Sequence, residues 1–147
     1  MKDTTYSDAQ HLAERVRDTM FATDKAAHAL GMEVSAVSPG HASVTMTVRE
    51  DMLNGFGICQ GGLIATLADM AFAYACNSYN ELTVASGFDV DLLGPGKLGD
   101  RLTAAGRVVS QGSRMGVYDI EVVNQNGDRI AVFRGRSYRM KGKQVVT

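Results

Sequence analysis

The apolar positions change period along the chain, and each period predicts an element. Leu12, Val16 and Met20 recur at helical spacing behind Ser7 and Asp8, either of which can cap a helix over residues 8–22. Residues 32–38 and 42–48 read as two short strands joined by "SPGH", a Pro-Gly turn signal. "VTMTV" (44–48) alternates apolar and Thr positions, as a half-buried strand does. A polar loop, "REDMLNGFGICQ", leads into a run from Gly61 to Ser78. That run is too long for a strand, rich in Ala, Leu and Met, and apolar nearly all round, which predicts a helix buried on most sides. Beyond it the period becomes two. Val84, Phe88, Val90 and Leu92 are expected to share one face, with Asp89 and Asp91 on the other. Strands are predicted over 84–93, 101–110, 115–125 and 129–140, with Asn126-Gly127 the strongest short hairpin signal. The order is helix, two strands, buried helix, four strands. It predicts an α+β fold in which an antiparallel sheet wraps around one long central helix. No linker or repeat divides residues 1–147, so a single domain is expected, with residues 1–30 an N-terminal helical segment.

Composition narrows the partners. With 45% hydrophobic and 21% charged residues, the chain can bury a core without disulfides or metals. A formal net charge of -1 points neither to nucleic acid nor to an anionic membrane as a partner. The polar start is not a signal peptide, and no apolar run reaches membrane-spanning length. Cys59 and Cys76 therefore read as free thiols in a reducing cytoplasm. No CxxC or His/Cys ligand cluster calls for a metal.

Asp69 is the only charge in the predicted central helix. An unpaired buried carboxylate costs several kcal/mol or forces protonation. Either a structural partner satisfies it, through backbone amides or an Arg, or it has a chemical task. Gly61-Gly62 opens the same helix, where the first amides lack internal partners and carry the positive end of the dipole. Glycine lets a ligand oxygen approach those amides, an arrangement suited to a carbonyl that becomes an oxyanion or to a phosphate; the alternative is a glycine-rich loop that simply turns the chain. Eight residues of helix separate Gly61 from Asp69, roughly 12 Å along the axis. A base and an oxyanion donor must both lie within about 3 Å of the reacting group. One helix cannot bring both to one carbonyl. If they cooperate, Gly61 or Gly62 comes from one subunit and Asp69 from another, and a twofold dimer creates two such sites.

"NGFGICQGGLIATLADMAFAYACNS" resembles the motif of PaaI-type hotdog thioesterases, the acyl-CoA hydrolases associated with phenylacetate degradation. That family typically reads Asn-Gly-His-x-x-Cys-His-Gly-Gly, then Leu-Ala-Asp-x-Ala. The resemblance continues through "GFDVDLLGPGKLGDRL" and "GSRMGVYDIEVVNQNGDRIAVFRGRS", covering most of the chain from about residue 30. It implies the hotdog fold, the sheet as bun and the helix as sausage, in a homodimer at minimum and a homotetramer by family habit. It implies hydrolysis of an acyl-CoA thioester, of aryl or phenylacetyl type, with no cofactor beyond the coenzyme A of the substrate. By position, Asp69 matches the catalytic carboxylate, as general base or nucleophile. The Gly61 amide, with Gly62 as fallback, matches the group that polarises the carbonyl, and Asn54 the residue that orients water or thioester. Two positions depart from the pattern: Gln60 stands where the family has His, and Phe56 replaces a His often seen in the loop. Gln can donate and accept hydrogen bonds but cannot titrate near neutral pH.

Thr66, Phe72, Ala73 and Cys76 lie near the Asp69 face at helical spacing, and Thr66 is placed to bond Asp69 or touch the acyl group. Among the basic residues of the C-terminal strands, Arg114 and Arg136 are the candidates for coenzyme A phosphates; the alternative is strand-edge charge that discourages aggregation. Two other functions compete with hydrolysis. Gln60 motivates a protein that binds acyl-CoA without turning it over. A hotdog dehydratase acting on hydroxyacyl thioesters pairs a loop His with a helix carboxylate, and no His lies in this loop.

Overall fold

A computed structural model describes the backbone from residue 4 to residue 147 and the side chains from residue 8. Helix α1 spans Thr4–Ala22, so it begins before the expected 8–22 and takes Ser7 and Asp8 inside it instead of at its cap. Residues 1–3 of the expected N-terminal segment lie outside the described residues. A short helix that the periodicity does not register, α2 (Lys25–Ala29), follows. Asp24 caps it by accepting from the Ala27 amide at 3.1 Å, and its other oxygen accepts from the Tyr74 hydroxyl at 3.0 Å. Strands β1 (Glu33–Ser38) and β2 (His41–Thr47) form the first hairpin. A 3-10 turn at Glu50–Met52 then leads to α3 (Gly61–Asn77). Strands β3 (Thr83–Leu92), β4 (Arg101–Gln111), β5 (Met115–Val123) and β6 (Arg129–Arg139) complete the chain.

All six strands pair antiparallel in the order β1-β2-β4-β5-β6-β3. One face of this sheet curls around α3. Ile64, Leu67, Ala68, Ala71, Phe72 and Ala75 of the helix pack into Val44, Leu102, Tyr118, Ile120 and Phe133 of the strands, all buried. The expected sheet wrapped around a long helix is thus observed. Gly135 sets how closely the two layers approach. A Cβ there would lie 2.8 Å from three atoms of the Phe72 ring, and that ring is boxed in by Tyr118 and Phe133. Gly135→Ala is therefore expected to cost about 1–3 kcal/mol through overpacking, read as a lower denaturant midpoint at unchanged slope.

Asn77 ties the end of α3 to the start of β3. Its side chain donates to the carbonyls of Ala73 and Thr83 and accepts from the Thr83 amide at 2.9 Å. The β5–β6 connection is longer than the two-residue hairpin that Asn126-Gly127 suggests. Asn124 stops β5 two residues early by accepting from the amides of Asn126 and Asp128, both at 3.0 Å, while Gly127 takes φ +80°.

The two rims of the sheet differ. β1 is covered in part by α1, whereas β3 has no neighbour beyond it in the chain. A bulge between Ala85 and Gly87 also corrects the expected face of Val84. Downstream of it, Phe88, Val90 and Leu92 pair with Gly135, Phe133 and Ala131 on the helix side. Upstream, the extra residue shifts the alternation, so Val84 pairs with Tyr138 on the outer side. Phe88 and Leu92 remain exposed, although α3 meets this rim where Gly61 faces Leu92.

Candidate active site

Asp69 sits in the middle of α3 and is half-buried. Among the described residues no hydrogen bond or ion pair satisfies its carboxylate. The structurally satisfied alternative therefore does not hold within one chain. Burial pushes the Asp69 carboxyl above its ordinary range, with no neighbouring charge to offset it. The face that carries Asp69 also holds Gly62, Thr66, Met70 and Ala73 at helical spacing, none of them fully buried. This stripe answers why a carboxylate stands in an apolar helix: α3 is covered on most sides but not on this one.

The N-terminus of α3 is built as an open donor site. Gln60 is the N-cap residue, with φ −56° and ψ 128°, and its side chain makes no capping bond. Its carbonyl accepts from Leu63 at 2.9 Å, and its amide donates to Met52. The Gly61 and Gly62 amides are left without acceptors among the described residues. A Cβ at Gly61 would run into the Leu92 side chain, whereas the space at Gly62 is open. The side chain of Gln60 is exposed.

Asn54 organises the loop that precedes this helix. Its Oδ1 accepts from the Phe56 amide at 2.9 Å and the Ile58 amide at 3.4 Å, and its carbonyl accepts from Gly57 at 3.0 Å. The same five-residue turn recurs at Asn124–Asp128, with a glycine of positive φ at the fourth position in both. The Asn54 carbonyl oxygen is thus committed to the backbone, and only its amide NH2 group is free for a ligand. Asn54, Ile58, Gly61 and Ile64 line a cavity of about 380 Å³ whose far wall is Leu92, Leu93 and the Gly94-Pro95-Gly96 turn. That turn is fastened to the loop by a 2.7 Å bond from the Cys59 amide to the Gly96 carbonyl. The stretch "GPGKLGD" lies between the strands predicted over 84–93 and 101–110, and the sequence reading gives it no part in the cavity. The signal is the adjacent pair Leu92-Leu93, which breaks the alternation of β3 and leaves two exposed leucines before a Gly-Pro-Gly.

Thr66 bonds neither Asp69 nor open space: its hydroxyl donates to the Gly62 carbonyl at 2.8 Å, one turn back along the helix. Arg114 and Arg136 are not brought to the cavity. Arg136 lies on the outer face of the sheet, paired with Asp89 at 2.9 Å. Arg114 is in the β4–β5 turn, where it donates to the Tyr138 hydroxyl at 3.0 Å. A larger hollow of about 680 Å³ also lies on the outer face, but its Arg134 and Arg129 are neutralised by Asp119 and Glu121. The cavity beside Gly61 is smaller and holds the free amides, so it is the candidate site. Neither thiol offers a nucleophile: burial pushes Cys59 up, and Cys76 up to about 12. Among the described residues no cluster of His, Cys, Asp and Glu is arranged to hold a metal.

Among the described residues, one chain thus carries an unpaired carboxylate and two amides without acceptors at two separated points of one helix. Comparison with known proteins agrees with that chemistry. The thioesterase superfamily model matches residues 56–131. The acyl-coenzyme A thioesterase PaaI of Escherichia coli is 48% identical over 90% of this chain and 94% of its own length. The crystal structure of that protein, from the phenylacetic acid degradation operon, superposes with a TM-score of 0.90 over 91% of this chain and 97% of its own. A Streptococcus mutans protein bound to acetyl CoA, 29% identical, superposes with a TM-score of 0.74 over 77% of this chain and 91% of its own. By its sequence and its hotdog fold, the chain belongs to the thioesterase superfamily.

Proposed function

We propose that the protein hydrolyses acyl-CoA thioesters of the aryl or phenylacetyl type, at sites shared between two subunits. The observation that carries this reading is the separation on α3 of the unpartnered Asp69 from the free Gly61 and Gly62 amides. The open β3 rim and the half-covered Asp69 stripe support a twofold dimer in which two α3 helices run antiparallel. The relatives named above support acyl-CoA as the substrate.

In this mechanism the thioester carbonyl oxygen accepts from the Gly61 amide, with Gly62 beside it. The partner subunit's Asp69 takes a proton from water, and the hydroxide adds to the carbonyl carbon. The oxyanion that forms is held by the helix N-terminus until the C–S bond breaks and coenzyme A leaves as the thiolate. Direct attack by Asp69, giving a mixed anhydride that water then cleaves, uses the same geometry. The Asn54 NH2 group and Gln60 hold the water or the carbonyl. Arg114, which bonds the Tyr138 hydroxyl instead of a carboxylate, is the candidate for the phosphates of coenzyme A; Arg136 is offset by Asp89. No cofactor enters the scheme, and the two reduced thiols suit a cytoplasmic enzyme. A tetramer built from two such dimers is the assembly that the family resemblance implies.

A panel of acyl-CoA substrates, assayed beside a size measurement in solution, tests this reading. Turnover by a dimer or larger assembly supports it; a monomer, or binding without turnover, overturns it. Gln60 supplies a sharper check. Its exposed side chain has no proton to transfer, so Gln60→His is expected to change kcat by less than about threefold. A general acid or base at that position would be worth about 100-fold or more. A steep rise would identify this chain as a weakened enzyme.

A further inference from the structure

Phe56 is 92% exposed, the most exposed of the large apolar side chains among the described residues. Its position is not that of a loose loop. The Asn54 carboxamide holds the Phe56 amide, the Asn54 and Ile58 backbones bond each other at 2.8 Å, and Leu53 bridges Cys59. The second copy of this turn, Asn124–Asp128, serves as an internal control. There the equivalent tip residue is Asn126, a polar side chain facing water. At the N-terminus of α3 the same backbone presents an aromatic ring instead. Gly55 and Gly57 flank it, so neither chain neighbour has a side chain to cover the exposed ring. Asn54 and Ile58, two residues to either side, line the cavity beside the Gly61 amide. No more than about 7 Å of backbone separates each from Phe56. Leu92 and Leu93, exposed on the opposite wall, make the rest of that mouth apolar.

We infer that Phe56 is a specificity-determining residue, whose ring stacks on an aromatic acyl group when the thioester carbonyl sits at the Gly61 amide. The inference rests on the hydrolase reading above and adds to it the side chain that distinguishes an aryl from an alkyl substrate. With the carbonyl oxygen fixed on the helix N-terminus, the acyl substituent falls against the apolar walls of the cavity. Phe56 is the one aromatic side chain within two residues of the lining Asn54 and Ile58. An aromatic pair favours an offset or edge-on ring contact that an alkyl chain of equal size does not provide.

The test compares phenylacetyl-CoA with hexanoyl-CoA on the intact protein, as wild type, Phe56→Ala and Phe56→Tyr. It adds calorimetric binding of the non-hydrolysable thioether 2-phenylethyl-CoA. Phe56→Ala is expected to lower the phenylacetyl-to-hexanoyl ratio of kcat/KM about three- to tenfold, through KM, with kcat within about twofold. Phe56→Tyr is expected to keep the ratio. An unchanged ratio in Phe56→Ala overturns the inference. So does an equal loss on both substrates together with dissociation into monomers, which would make Phe56 a subunit contact. If wild type hydrolyses neither substrate, the hydrolase reading fails, and the thioether still decides the role of Phe56. Weaker binding to Phe56→Ala by the same factor supports it, and equal binding overturns it.

Discussion

Asp69→Asn is expected to abolish hydrolysis and, at the same time, to make the protein more stable at neutral pH. The amide keeps the shape of the side chain but cannot accept the proton of water or attack the carbonyl. A fall in kcat of about 100-fold to 10,000-fold follows from losing the general base. The stability effect has the opposite sign because the folded chain raises the Asp69 carboxyl above its ordinary value of 3.8. A carboxyl raised on folding favours the native state only while protonated. That contribution is complete below the unfolded value and is lost as the pH rises through the folded one. Wild type and Asp69→Asn should therefore unfold alike in acid, diverge as the pH rises from the ordinary value through the raised one, and stay apart above it. At pH 7 the variant should be more stable by about 1 kcal/mol, the low end for a half-buried polar group without a partner. The same raised value sets the acid limb of the rate. Activity should fall as the pH drops through it, and the limb should disappear from whatever residual rate Asp69→Asn retains. Denaturant midpoints at two pH values, with a pH–rate profile of wild type, measure both. A variant that loses stability at pH 7 would mean that the carboxylate has a structural partner after all.

The second large effect concerns the amide. Gly61→Pro removes the N–H aimed at the carbonyl but suits the fold. Position N1 of a helix tolerates proline, and Gln60, with ψ 128°, already has the extended backbone that must precede one. The added Cβ meets only the flexible end of Leu92. Loss of one oxyanion donor is expected to lower kcat about 100- to 1,000-fold, with the circular dichroism of the helix unchanged. A mixture makes the decisive measurement. Unfolding Asp69→Asn and Gly61→Pro together in equal amounts and refolding them yields hybrid dimers. In each hybrid, one site combines an intact Gly61 amide with an intact Asp69. About a quarter of wild-type activity should return from two inactive parents. Mixing without recovery would place both groups of each site within one chain and remove the shared-site mechanism.

Much of this arrangement is legible in the sequence, and the parts that are not have physical causes. Length and Ala/Leu/Met content suffice for α3, and strict alternation suffices for the strands, because burial on one face imposes those periods. The motif from Asn54 to Asp69 locates the cradle and the carboxylate. The face of Val84 is misread because one bulged residue leaves no mark on a period-two pattern. Helix α2 is missed because five residues are too few to show a period. Its signal is the Asp24 cap, which only the Ala27 amide makes visible. Thr66 does not bond Asp69 because a mid-helix hydroxyl has a carbonyl four residues back within reach. For Asn54, the identical turn at Asn124 reveals that the backbone takes the Oδ1 and leaves the NH2 group.

The bulge in β3 also governs which strands can join the open rim. An unprotected edge is a template for indiscriminate growth of a sheet, and proteins commonly break such an edge with a kink. Here the break falls at Ser86 and leaves six regular residues, Gly87–Leu92, beyond it. A foreign strand running the full length would lose its hydrogen-bond register partway along. A second molecule, presenting the same short segment in the opposite direction, meets no such interruption. The irregularity therefore shortens the uninterrupted template that this rim offers to any foreign strand to six residues.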